Sequence, residues 1–142
     1  DDSLALGQSF GFTEKLNTAG GFTYFSANLF SGLEQNPFVA DTRYSDVFFG
    51  SRQSYQINGS FAIPEGYQFE ELPKNLRMIM PDTSISMTRI SQISGNRVML
   101  KITLDFNKPM YSVGEYDMFH EFYKKLFDIL NEQYVIKKKV TP

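Results

Sequence analysis

The chain contains no cysteine and no tryptophan among its 142 residues, and it has one histidine, His120. Without cysteine there can be no disulfide framework, no thiolate zinc site and no cysteine nucleophile. The cysteine count by itself leaves the redox compartment undetermined. A domain of this length buries roughly 68–70% of the surface that its unfolded chain exposes, so a packed core can form without covalent cross-links.

An excess of one charge and long apolar runs are missing as well. Lys and Arg number 14 and Asp and Glu number 16, which gives a formal net charge of -2 from interspersed acids and bases. Such a balance creates no long-range field that would gather phosphates, so we expect no nucleic-acid partner. No apolar run approaches the roughly 20 residues that span a bilayer, so we expect no membrane span. Because the sequence starts at Asp1 without a methionine or a leader, we expect a processed or excised piece of a longer protein.

Motifs that carry catalysis or hold cofactors are not found either. The serines form no G-x-S-x-G elbow, and Gly20-Gly21 lacks the lysine and the strand-to-helix context of a phosphate loop. Glu70-Glu71 point to opposite faces of a strand and cannot share a substrate. His120 has charged neighbours such as Asp117, Glu121 and Lys124 within one helical turn, but a lone imidazole makes a poor metal site. The sequence predicts no catalytic, cofactor-binding or metal site.

Alternating apolar and polar residues predict two strands in the middle of the chain. The segment from Arg52 to Ile63 has the two-residue period of a half-buried strand. Pro64-Glu65-Gly66 then supplies a turn, and the alternation resumes over residues 67–70 before Pro73 stops it. We interpret these two runs as neighbouring strands.

A hairpin follows, with its turn at Gly95-Asn96. Apolar and polar residues alternate over residues 84–94 and 97–106, on both sides of that turn, which is typical of an antiparallel strand pair with one solvent-exposed face. Ile90 lies out of phase with Ile85 and Met87. The pattern therefore predicts a bulge or register change near Arg89.

The period changes from two to about 3.6 residues after Pro109, which indicates a helix. Ser112 and Glu115 form an S-x-x-E capping box, so the helix is expected to start near Val113 and end near Asn131. Its apolar side is formed by Phe119, Phe122, Tyr123, Leu126 and Leu130. A short closing strand at residues 134–136 follows, and Lys137–Lys139 would keep its end soluble.

The first fifty residues are less regular and accommodate two or three further strands. The candidate segments are Phe10-Gly11-Phe12, residues 22–25, Leu29-Phe30 and residues 47–49, with a joint between Glu14 and Gly21. We predict that residues 1–21 are a linker or a leading strand from an upstream domain, and that residues 22–142 form the domain. The fold class is mainly β: an antiparallel, immunoglobulin-like sandwich of about seven strands with one C-terminal amphipathic helix.

Aromatic residues make up 15% of the chain. Most of those that can be phased fall on the apolar side of a predicted element, where they supply core area. The segment around Phe22, Tyr24, Phe25 and Phe30 mixes Phe and Tyr without a clean polar alternation, so both of its faces need cover. We predict that these four residues form an interaction surface.

A set of short turn motifs resembles one known family. The motifs are Asn36-Pro37-Phe38, Arg43, Val47-Phe48-Phe49, Ile63-Pro64-Glu65-Gly66-Tyr67, Leu72-Pro73 and, after the helix, Val135-Ile136-Lys137-Lys138. The pattern resembles the uncharacterised domain at the C-terminal end of bacterial envelope proteins that carry a transglutaminase-like domain in their middle. The resemblance covers roughly residues 22 to 139, and Asp46 stands where that family usually has proline.

The resemblance implies a non-catalytic accessory module in a periplasmic or cell-surface setting. Its partner would be the upstream transglutaminase-like domain of the same parent chain, to which the family's catalytic cysteine, histidine and aspartate belong. A stand-alone domain that binds a glycan or a peptide through surface aromatics is the alternative, and both need only an exposed apolar or aromatic patch on a stable sandwich.

Overall fold

Ten strands and one α-helix form in the part of the chain that the structure describes. This computed structural model describes residues 4–9, 11, 16–26 and 35–140. The strands are β1 (Asn17–Ala19), β2 (Phe22–Ser26), β3 (Val47–Phe48), β4 (Gln53–Ala62), β5 (Tyr67–Glu71), β6 (Leu76–Ile79), β7 (Ile85–Ser94), β8 (Arg97–Phe106), β9 (Met110–Tyr111) and β10 (Gln133–Lys138). A 3-10 turn at Val113–Glu115 leads into α1 (Tyr116–Leu130).

The strands form two four-stranded sheets and one two-stranded ribbon. Sheet I has the order β1-β2-β10-β5, sheet II has the order β4-β8-β7-β6, and the ribbon pairs β3 with β9. All pairings are antiparallel. The predicted fold class, mainly antiparallel β with one C-terminal helix, is confirmed, although the strands outnumber the predicted seven and their order differs from that of an immunoglobulin domain.

The predicted hairpin is confirmed as β7 and β8, which pair along their whole length. The register runs without interruption from Ile85 opposite Phe106 to Ser94 opposite Arg97. Gly95 opens the two-residue turn at a φ of 60°, where glycine carries no steric penalty. The predicted bulge is wrong, because the apolar phase of β7 continues through Arg89, which is 2% exposed, while Ile90 turns to solvent.

The strands on either side of Pro64-Glu65-Gly66 are confirmed, but their predicted neighbourhood is wrong. β4 pairs with β8 in sheet II, whereas β5 pairs with β10 in sheet I. The turn therefore carries the chain from one sheet to the other instead of closing a hairpin. β6, which follows Pro73 and pairs with β7, was not predicted from the sequence.

The helix covers one part of the inner face of sheet II. All five residues of its predicted apolar side are buried, together with Tyr116 and Phe127. The ring of Tyr123 lies 6.2 Å from that of Phe106 on β8, measured between centroids. This contact places α1 against the end of sheet II that carries Phe106.

Sheet I covers the remaining part of the inner face of sheet II. Phe25 on β2 stacks on Tyr134 of β10 at 5.0 Å and lies 5.2 Å from Phe61 of β4. Helix and sheet I together thus form the second layer of a sandwich-like fold, and one continuous core lies between the layers.

The N-terminal part of sheet I is a hairpin. β1 pairs with β2, and Gly20 and Gly21 between them adopt φ values of 59° and 83°, as a tight hairpin turn requires. Residues 17–21, predicted as linker or leading strand, thus include a strand of this sheet. Phe10, Phe12 and Leu29-Phe30 lie outside the described residues.

Candidate interaction surface

The four residues of the predicted interaction surface have different environments. Phe25 is buried in the core between the two layers, and Phe30 lies outside the described residues. Phe22 and Tyr24 are half-buried. They pair with Lys137 and Val135 of β10, on the face of sheet I that points away from sheet II.

This outer face of sheet I combines apolar and charged groups. Val135 is buried but does not join the main core. Beside it, the Lys137 ammonium lies 2.5 Å from a Glu70 carboxylate oxygen, and both side chains are partly exposed. Two half-buried rings next to an exposed ion pair fit the edge of a contact surface better than its centre.

A more exposed apolar surface, which was not predicted from the sequence, lies on the ribbon. Phe48 is 73% exposed and pairs with Met110, which is 43% exposed. Val113, shortly after β9, is 45% exposed. We call Phe48, Met110 and Val113 the ribbon patch. The run Val47-Phe48-Phe49 contained the signal, because in a strand the middle residue points away from its two neighbours.

Backbone and side-chain hydrogen bonds hold the ribbon patch in place. The Phe49 N–H donates to the Pro109 carbonyl at 2.7 Å. The Val113 N–H donates to the Asp46 carboxylate at 2.9 Å. Asp46 is the residue that departs from the resembled family's proline, and its carboxylate satisfies a backbone donor at the start of the helical segment.

A charged cluster follows the patch at the helix start. The Glu115 carboxylate accepts hydrogen bonds from the Ser112 N–H at 2.9 Å and from the Ser112 hydroxyl at 3.0 Å, and it pairs with the Lys108 ammonium. The bond from Lys108, followed by those from Ser112, lowers the pKa of Glu115 to about 2. The patch therefore has a polar, permanently charged rim at neutral pH.

The Asn36-Pro37-Phe38 motif has a structural role. The Asn36 side chain accepts a hydrogen bond from the Phe38 N–H at 2.8 Å, which is an Asx turn. The Phe38 ring packs edge-on against Phe119 and Tyr123, each at 5.0 Å. The Arg43 guanidinium lies 5.6 Å from the centroid of the same ring. This segment closes the core over the helix.

One hydroxyl pair is buried beneath the ribbon. The Ser84 and Tyr111 hydroxyls lie 2.6 Å apart, and the Ser84 hydroxyl donates to the Asp82 carboxylate at 2.7 Å. Burial raises the pKa of the Tyr111 phenol, although its bond to Ser84 opposes the shift. Because Tyr111 is fully buried and Ser84 nearly so, this network ties the β6–β7 turn to β9 and offers no nucleophile to solvent.

The buried Arg89 connects three separate parts of the fold. Its guanidinium donates to the Lys74 carbonyl at 2.8 and 3.1 Å and to the Ile129 carbonyl at 2.8 Å. It also pairs with the Glu132 carboxylate at 2.6 Å. The Ile129 carbonyl belongs to the last turn of α1, where carbonyls lack the donor four residues further along the helix, and it also accepts a hydrogen bond from the Glu132 N–H at 3.3 Å. Arg89 thus anchors the helix end to sheet II.

The other chemistry-bearing residues do not converge. His120 is half-buried on α1 and stacks on Tyr116 at 5.4 Å. Within the described ranges, no group of three or more His, Asp or Glu side chains could hold a metal ion. In the same part of the chain, no helix has the length and apolar character needed to span a membrane. Within the described ranges, the ribbon patch therefore combines exposed apolar side chains with hydrogen bonds that hold its backbone.

Comparisons with known proteins agree with this architecture. A search among curated proteins finds no match. A crystal structure of a protein described as a "putative protease" from Parabacteroides distasonis is similar to this chain, with a TM-score of 0.64 at 15% identity. The similarity covers 83% of this chain and 24% of that protein, so the chain spans about a quarter of its length. At this identity the similarity shows the fold alone. The model of a family described as a domain of unknown function with a solved structure, DUF3858, matches residues 21–136, and the chain belongs to this family.

Proposed function

We propose that this chain is a non-catalytic accessory module of a larger bacterial envelope protein, and that it docks through the ribbon patch on a transglutaminase-like domain of the same protein. The observation that carries the proposal is the exposed pair of Phe48 and Met110 on a ribbon held in place on both sides. Exposed apolar side chains with a polar rim are typical of interaction sites.

Two further observations support this proposal. A similar fold occurs within a much longer chain, since the similarity covers 83% of this chain and 24% of that protein. The turn motifs resemble those of domains that follow a transglutaminase-like domain, and a periplasmic or cell-surface location is proposed on the same resemblance. Phe22 and Tyr24 on the outer face of sheet I are proposed as a second, smaller contact.

Methionine oxidation tests the docking surface with a control inside the chain. Met110 in the patch and Met99 on the outer face of sheet II are 43% and 48% exposed. In the isolated chain, hydrogen peroxide should oxidise both at similar rates. In the presence of the transglutaminase-like domain, Met110 should be protected and Met99 should not. Equal rates in both samples would refute docking at the patch.

Binding measurements with matched variants sharpen the test. Phe48→Ser should weaken association about fivefold or more, because truncating a central aromatic contact costs more than about 1 kcal/mol. Ile90→Ser is the control: Ile90 is 50% exposed on β7 of sheet II, away from the patch, and its replacement should leave the affinity unchanged. Protection of Met110 by a glycan or peptide, without the neighbouring domain, would favour the alternative binding module.

The non-catalytic part of the proposal has its own test. The purified chain should show no saturable turnover of generic peptide, amide or ester substrates. Turnover that disappears in His120→Ala would contradict the proposal, because His120 is the one imidazole of the chain.

A further inference from the structure

The outer edge of sheet II is formed by β4, a regular strand over Gln53–Ala62. All ten of its residues pair with β8 in one uninterrupted register. On its other side, the part of the chain that the structure describes contributes no strand. Such an edge presents a row of backbone donors and acceptors.

The register identifies the backbone groups on the open side. The Ile63 N–H donates to the Asn96 carbonyl at 2.9 Å, so the backbone of Ile63 points toward β8. Because backbone direction alternates along a strand, the odd-numbered residues of β4 bond β8 and the even-numbered ones point outward. The outward residues are Ser54, Gln56, Asn58, Ser60 and Ala62.

β4 lacks the features by which proteins usually protect an open edge. It contains no charged residue, no proline and no bulge over its length. The opposite edge of the sheet, β6, has four residues, including Arg77, and follows Pro73 and Lys74. Only one of the two edges of sheet II is therefore built to discourage pairing.

We propose that this edge pairs with the β4 edge of a second copy, antiparallel across a twofold axis at Asn58. In this register every outward residue of β4 lies opposite another outward residue, as an antiparallel ladder requires. Asn58 lies opposite the partner's Asn58, and Gln56 lies opposite the partner's Ser60. Sheet II then continues into the second copy as one sheet.

The side chains on the inner face suit the same register. Tyr55, which is 39% exposed, lies opposite the partner's Phe61, and aromatic pairs across strands are stabilising. Ile57 lies opposite the partner's Gly59, and the Phe61 ring of each copy lies over its own Gly59, so Ile57 would meet an apolar ring there. An uncharged strand meets no like-charge repulsion from its own copy, and this self-complementarity favours a second copy over an unrelated strand.

Disulfide trapping tests the register directly, because the chain contains no native cysteine. A hydrogen-bonded pair has its Cα atoms about 5.5 Å apart, which lies within the range that a disulfide bridges. Asn58→Cys should therefore form a covalent dimer on mild oxidation. Lys101→Cys is the control, because Lys101 pairs with Asn58 one strand further in, and the two copies of residue 101 would lie about 14 Å apart.

Charged variants at position 58 show whether the two copies of residue 58 lie opposite each other in the dimer. Asn58→Lys and Asn58→Glu should each lower the dimeric fraction in sedimentation, while an equimolar mixture of the two should restore it. Circular dichroism confirms that each variant is folded.

A wild-type chain that is monomeric up to its highest soluble concentration would overturn the proposal, as would equal cross-linking at positions 58 and 101. A monomeric chain that captures a synthetic peptide of residues 53–62 would assign the edge to foreign strands instead. Phe48→Ser should leave the dimer intact, which separates this proposal from docking at the ribbon patch.

Discussion

Replacing Arg89 with alanine should destabilise the domain more than any other single change at a charged residue discussed above. The guanidinium is buried and donates to the Lys74 carbonyl, the Ile129 carbonyl and the Glu132 carboxylate. Alanine removes all of these bonds at once. It separates β7 from the end of α1 and from the segment before β6.

The size of the effect follows from what is left without a partner. The Lys74 carbonyl loses the Arg89 donor at a part-buried site, and a buried acceptor without a partner costs about 1–3 kcal/mol. The Ile129 carbonyl loses the Arg89 bond but keeps the Glu132 N–H at 3.3 Å. The Glu132 side chain is 45% exposed, so water can replace its ion pair at little cost. With about 0.5–1.5 kcal/mol for the lost bond to Ile129, the total is roughly 1.5–4.5 kcal/mol, against a total stability of about 5–15 kcal/mol for a domain.

Urea unfolding followed by circular dichroism measures this loss. The matched control is Arg97→Ala, because Arg97 is an exposed arginine on the neighbouring strand that bonds the Ser60 hydroxyl at 2.9 Å, and its loss should cost about 0.5 kcal/mol or less. Arg89→Met keeps much of the side-chain volume but none of the donors, so it should remain close to Arg89→Ala. Equal stabilities of Arg89→Ala and Arg97→Ala, or a fully stable Arg89→Met, would refute the reasoning.

Two further predictions concern the helix and its start. Leu126→Ala should lower the free energy of unfolding by about 2–5 kcal/mol, because it leaves a cavity where a fully buried side chain was. The exposed neighbour Lys125→Ala should lower it by about 0.5 kcal/mol or less. Equal shifts in Tm for the two variants would mean that the helix is not docked. Glu115 has a folded pKa of about 2 against an ordinary 4.5, so its contribution to stability is present above pH 4.5 and is lost as the pH falls toward 2. In Lys108→Met the carboxyl titration of Glu115, followed by NMR, should move upward, and an unchanged midpoint would show that Lys108 does not cause the shift.

The elements predicted correctly are those whose signal is local. The β7–β8 hairpin has a glycine turn between two runs of period two, and α1 has a capping residue, Ser112, followed by an apolar stripe of period 3.6. Each pattern indicates which face of its own element is buried, whichever other elements pack against that face. The start of the helical segment was predicted correctly for the same reason, because Ser112 and Glu115, which mark it, contact each other directly.

Tertiary structure decided which elements meet and which exposed residues have no cover. The sequence of β4 and β5 is compatible with a hairpin, and only the competition for β8 and β10 places them in different sheets. Arg89 breaks the apolar pattern of β7 because its partners lie at Lys74, Ile129 and Glu132, far away in sequence. The ribbon patch depends on the pairing of β3 with β9, which brings Phe48 beside Met110 from the other half of the chain. Alternation identifies the two faces of a strand, but which face receives a covering layer is fixed only when distant segments pack together.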